Sequence, residues 1–126
     1  MAEEQVIDLG SLSKEEFCYL TTIGRVTGNP HEIEIWFGIQ GNSVYLMSGG
    51  GTKADWVKNL VKSPNVTVRI AKRTFAGTAR LVKEEQEEMT ARHLLADKYK
   101  EREADGSLSE WARTALVVAI DVDQEK

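Results

Sequence analysis

The chain has 126 residues, of which 41% are hydrophobic and 29% charged, with a net charge of −4. That is enough chain for one domain, residues 1–126, with a core of its own and no need of staples. The acidic balance argues against nucleic acid as a partner. No apolar run reaches the roughly 20 residues that span a bilayer.

The opening MAEEQVIDLG has neither the basic region nor the apolar core of a signal peptide. A cytoplasmic location is therefore expected. Ser13-Lys14-Glu15-Glu16 matches a capping box, which predicts a short helical turn before a strand over Phe17–Ile23. Cys18, the one cysteine, falls in that strand pattern and reads as a buried structural thiol.

Gly24 to Pro30 is turn chemistry throughout. His31–Gln40 alternates, with His31, Ile33, Ile35 and Phe37 on one face and Glu32, Glu34 and Trp36 on the other, the pattern of a half-buried strand. Gly41-Asn42 makes a hairpin into Ser43–Met47.

A triple glycine, Gly49 to Gly51, leads to Thr52-Lys53-Ala54-Asp55, read as a helix cap. The helix runs to Lys62 and stops at Ser63-Pro64, with Trp56, Asn59 and Leu60 on one face. Strands follow at Asn65–Ile70 and Thr74–Val82, joined by Ala71-Lys72-Arg73. Glu84–Arg102 reads as a long helix from its charge order, acids leading and bases closing, with Met89, Leu95, Ala96 and Tyr99 as its buried stripe. Asp105-Gly106-Ser107 breaks the chain, a short turn over Ser109–Arg113 follows, and Ala115–Asp123 is the last strand. Six strands with few helices predict a small antiparallel barrel, for which a Greek key is allowed.

Charge is unevenly distributed. Residues 19–82 carry eight Lys/Arg against three acids, while the remainder carries eight against seventeen. The two glycine-rich connections lie in the basic segment and bear Arg25 and Lys53, so backbone amides and cations there could converge on one anionic, nucleotide-like ligand. The hydrolase loop GxxxxGK[ST] is absent. Neither histidine has a second ligand at metal spacing, so no metal site is expected. Glu32 and Glu34 with Trp36 read as a solvated or interface face, and Tyr99 and Trp111 either pack or cover a substrate pocket.

The runs LTTIGRVTGNPHEIEIWF, YLMSGGGTKADWVKNLVKSPNVTVRI and RTFAGTARLV resemble the deazaflavin-dependent nitroreductase family, a branch of the pyridoxamine-phosphate-oxidase-like, flavin-binding split β-barrels. The resemblance covers residues 17–83 and continues more loosely beyond. It implies a six-stranded antiparallel split barrel of Greek-key type, paired into a homodimer with the cofactor groove near the interface. It also implies coenzyme F420, whose reduced form delivers hydride from C5 to a small electron-poor acceptor such as a quinone or nitro compound.

Carried over, Arg25, Thr27 and Gly28 form a first anion-binding turn, with His31 beside it. Ser48, Gly49 and Gly50 bring backbone amides to the cofactor, Lys53 adds a charge, and Trp56 and Asn59 line the groove. Glycine permits close approach, arginine grips phosphate with a fork, and a helix N-terminus favours an anion. The chain departs from the family pattern at Val26, His31 and Gly49, where basic residues are common, and at Glu34, where a proline is. Each missing cationic contact weakens the grip by ~1.5–3 kcal/mol. FMN is therefore the alternative cofactor, and a non-catalytic flavin or tetrapyrrole binder is the rival from another class. No catalytic side chain is nominated, because the cofactor carries the chemistry.

Overall fold

The computed structural model describes residues 7–126. The acidic start of the chain, Met1 to Val6, lies outside the described residues. A 3-10 turn at Gly10–Leu12 precedes β1 (Cys18–Ile23), β2 (Pro30–Ile35), β3 (Gly38–Gln40) and β4 (Ser43–Ser48). Then come α1 (Asp55–Lys62), β5 (Asn65–Ile70), β6 (Arg73–Leu81), α2 (Glu85–Tyr99), α3 (Glu110–Thr114) and β7 (Leu116–Glu125).

All pairings are antiparallel, in the order β2-β1-β5-β6-β7-β4-β3. The two edge strands, β2 and β3, are consecutive in the chain and separated only by Trp36 and Phe37. A sheet whose edges are joined by two residues must roll up, and this is the split barrel expected. Its interior is filled by Leu20, Phe37, Leu46, Ile70, Phe75 and Ile120, all fully buried. A second apolar layer, including Tyr45, Met47 and Val117, lies under α2 and α3.

The seventh strand arises where one was expected over His31–Gln40. Phe37 is fully buried, and its main chain bonds not to a neighbouring strand but to α2. Its N–H donates to Tyr99 Oη at 2.9 Å, and its carbonyl accepts from Lys98 Nζ at 3.0 Å. The ladder is broken there by side chains from the far end of the sequence.

Four local expectations fail. Ser13 follows a 3-10 turn instead of opening a helix. Thr52 does not cap α1; Gly51–Lys53 forms its own 3-10 turn, and Ala54 stands at the cap with no side-chain bond. The long helix stops at Tyr99, short of Arg102, because Lys100 turns left-handed with φ 58°. On its buried side stand Ala91, Arg92, Leu95 and Ala96, whereas Met89 is 39% exposed. Arg92 is tolerated there because its guanidinium donates to the Ala112 carbonyl at 3.0 Å. Glu84 caps the start, accepting the Gln86 and Glu87 amides at 3.1 and 2.7 Å. Cys18 is fully buried as expected, and burial pushes its thiol up to about 12. No helix among the described residues is long and apolar enough to cross a membrane.

Candidate functional site

The turn between β1 and β2 is closed by its own backbone. The Gly24 amide donates to the Asn29 carbonyl and the Gly28 amide to the Gly24 carbonyl, both at 2.8 Å. Gly28 takes φ +77°, which an L side chain resists. Thr27 Oγ1 accepts the Asn29 amide at 3.2 Å.

Helix α1 holds this turn in place. Asn59 is buried, and its Oδ1 accepts from both the Arg25 backbone amide (3.1 Å) and Arg25 Nη1 (2.9 Å). Its Nδ2 donates to Thr22 Oγ1 at 3.3 Å. Lys62 Nζ donates to the Arg25 carbonyl at 2.8 Å. Arg25 Nη2 reaches Asp55 Oδ1 at 3.0 Å, and the Asp55 side chain is 84% exposed. Across from these stands His31, so near Gly24 that an added Cβ there would lie 2.7 Å from Nε2. The walls enclose about 420 Å³, with Arg25, Thr27, His31, Trp56 and Asn59 among the lining residues.

The second loop lies elsewhere. Ser48 is buried, and its hydroxyl donates to the Gly51 carbonyl at 3.0 Å, closing its own loop. Gly49 sits beside the Trp111 indole, where an added Cβ would be 3.5 Å from the ring, and Gly50 packs on Ala54. Lys53 is exposed; its backbone amide donates to the Gly50 carbonyl at 3.1 Å, and its side chain makes no hydrogen bond among the described residues. Arg25, Thr27, His31, Trp56 and Asn59 thus share one groove, Gly28 shapes its rim, and Ser48, Gly49, Gly50 and Lys53 flank the start of α1 outside it. The link between the loops is Asp55, the residue that opens α1 and reaches back to Arg25.

A second hollow, of about 380 Å³, is lined by Phe17, Glu34, Trp36, Met47, Glu101 and Trp111, which sequence reasoning did not bring together as a group. Trp36 stacks on Tyr99 with centroids 4.2 Å apart and meets Trp111 edge-on at 5.5 Å and 88°. The available signal was Glu34 and Trp36 two apart on one strand face. Tyr99, pushed up to about 12 by burial, holds its proton and supports the stack. Lys98, whose Nζ lies 3.6 Å from the Phe37 ring centroid, is lowered to about 8 by burial. No group of three potential metal ligands gathers among the described residues.

Residues 3–119 match the family described as F420H(2)-dependent quinone reductase. No curated protein matches the chain. Among solved structures, a candidate 5-nitroimidazole antibiotic resistance protein from Bacteroides thetaiotaomicron superposes with a TM-score of 0.73 at 18% identity, covering 99% of this chain and 84% of that one. A protein described as an F420 reductase gives 0.64 at 17%, covering 99% and 98%. The haem storage protein HutZ of Vibrio cholerae gives 0.70 at 16%, covering 92% and 88%. At such identities these likenesses show the fold alone, that of the pyridoxamine-phosphate-oxidase-like split barrels.

Proposed function

The chain belongs to the F420H(2)-dependent quinone reductase family and is an oxidoreductase, and from that premise we propose that it reduces a small electron-poor acceptor, a quinone or nitro compound, using reduced F420. The observation that carries this reading is Arg25, its fork fixed by buried Asn59 at a groove of about 420 Å³ that Thr27, His31 and Trp56 also line.

The residues suit a phosphate. The partner of Arg25 Nη2 is a carboxylate that is 84% exposed, and such a surface pair contributes only ~0–1 kcal/mol. A phosphate forming charge-assisted bonds of ~1.5–3 kcal/mol each displaces it. Thr27 and His31 supply further polar contacts from the turn side, and Trp56 an apolar wall. Gly28 keeps the turn in shape, while Ser48, Gly49, Gly50 and Lys53 offer amides and one cation to the rest of the cofactor. When bound, reduced F420 supplies the hydride from its C5. The protein's own part is to bind, orient and exclude water, so no catalytic side chain is assigned. We read residues 1–126 as one cytoplasmic cofactor-binding domain acting as a homodimer, the groove near the interface.

FMN is the second reading, because Arg25 is the one guanidinium lining this groove among the described residues, matching a cofactor with a single phosphate and no anionic tail. Calorimetric titration with each cofactor separates the two. Micromolar or tighter F420 binding with weaker FMN binding is expected, and the reverse order moves the protein to the FMN branch. Binding of neither sinks both.

A further inference from the structure

We propose that Lys98 is a nucleophilic amine, and that the hollow it lines takes a small aldehyde bearing a carboxylate, held as an imine. This hollow, of about 300 Å³, lies between the segment that enters β1 and the end of α2. Lys14, Glu16, Trp36, Lys98, Tyr99 and Lys100 line it, so three amines stand against one carboxylate. None of these residues lines the groove beside Arg25, and only Trp36 also lines the second hollow.

Geometry sets Lys98 apart from its two neighbours. Lys14 and Lys100 are exposed, whereas Lys98 is half-buried. Its Nζ donates to the Phe37 carbonyl at 3.0 Å and lies 3.6 Å from the Phe37 ring centroid. It takes part in none of the ion pairs among the described residues. A neutral amine has two N–H bonds and one lone pair. The carbonyl and the ring face occupy the two N–H bonds, which leaves the lone pair free for the hollow.

A lysine becomes nucleophilic when it is desolvated or set beside another cation, and both conditions hold here. The charged and titratable groups around it are Lys14, Glu15 and Glu16 of the entering segment, Cys18 of β1, and Tyr99 and Lys100. Cys18 and Tyr99 are both pushed up to about 12, so neither offers a negative charge at neutral pH. Burial lowers Lys98 from 10.5 to about 8 in spite of Glu15. The Nζ lone pair bonds the aldehyde carbon as the C=O π pair moves to oxygen. Both amine protons then leave with that oxygen as water, and a C=N bond remains. The Phe37 carbonyl is not orphaned by this, since Tyr99 Oη also donates to it at 3.0 Å. Lys14 and Lys100 pair with the carboxylate, which a neutral aldehyde lacks.

The test is reductive labelling of the full chain with glyoxylate and cyanoborohydride, with acetaldehyde as the neutral control, read by peptide mapping. At about pH 7.5 an amine titrating near 8 is about one-quarter neutral, against about one part in a thousand for an ordinary lysine. Lower basicity also weakens the attack itself, so Lys98 should label about tenfold faster than exposed Lys58 and Lys72. Its rate should level off above about pH 8, while theirs keep rising. Lys14→Gln with Lys100→Gln should bring the glyoxylate-to-acetaldehyde ratio at Lys98 down to that at Lys58. Lys98→Arg, which keeps a donor for the Phe37 carbonyl, should abolish the fast label. A Lys98 rate no higher than that of Lys58, a rate still climbing beside theirs at about pH 10, or no preference for glyoxylate in the wild type would each overturn the proposal.

Discussion

Asn59 reaches three groups from one buried amide: the Arg25 backbone, the Arg25 guanidinium and Thr22. Replacing it by Leu leaves the Arg25 amide and the Thr22 hydroxyl unsatisfied, so about 1–3 kcal/mol of stability should be lost in urea denaturation. Arg25→Ala acts differently. It should leave stability within about 1 kcal/mol, since the ion pair it removes is exposed, but should weaken cofactor binding by about tenfold or more, one charge-assisted contact with phosphate. Asp55→Asn runs the other way: freeing the fork of its competing carboxylate should tighten cofactor binding in the same calorimetric assay. A loss of affinity in Asp55→Asn would mean that the carboxylate positions Arg25 and does not compete for it. The sequence pointed to Arg25 and Asn59 because a glycine turn and a helix stripe are local patterns. It was silent on Asp55, whose reach to Arg25 depends on how α1 lies against β1.

At the scale of elements, local chemistry was legible wherever a strand or turn is bounded by its own residues. Gly41-Asn42, Ser63-Pro64 and Ala71-Lys72 fall between elements as read, and the strands differ from expectation by no more than two residues at most ends. Where a distant side chain intervenes, the reading failed. The alternation from His31 to Gln40 contains no break, because the break is made by Tyr99 and Lys98, some 60 positions later. Tyr99→Phe tests that cause. It keeps the stack on Trp36 but leaves the buried Phe37 amide without its acceptor, which should cost about 1–3 kcal/mol. Hydrogen exchange at the Phe37 amide should accelerate beyond that of the β1 amides. An unchanged Phe37 exchange rate would show that the split between β2 and β3 is set by the strands themselves.

Across the whole molecule, the helical layer is tied to the barrel by one charged network. Arg80 on β6 forms a two-bond fork with Glu87 of α2 at 2.8 and 2.7 Å and also bonds Asp121 of β7 at 2.6 Å. Tyr45 on β4 donates to Glu87 at 2.6 Å, and Ser43 to Asp121 at 2.8 Å. The Arg80 guanidinium holds the Glu87 carboxyl at about 2, below its ordinary 4.5, and lowers Asp121 as well. A carboxylate with a depressed folded value contributes stability that is present above its unfolded value and lost as pH falls through the folded one. The acid edge should therefore run from about pH 4.5 down to about 2. The alkaline edge has the opposite sign: burial raises Tyr45 and Tyr99 from 10.0 to about 12, and Cys18 from 9.0 to about 12. Their contribution is whole below the unfolded values and disappears as pH climbs through 12. Glu87→Gln should lower stability at neutral pH by on the order of 1 kcal/mol, as for a partly exposed ion pair, and flatten the fall in Tm on the acid side. The alkaline side should move less, because Tyr99 and Cys18 lie outside the network. If thermal melts of Glu87→Gln keep the full acid slope of the wild type, the tie between α2 and the barrel is apolar packing, and the carboxylates that set acid stability lie elsewhere in the chain.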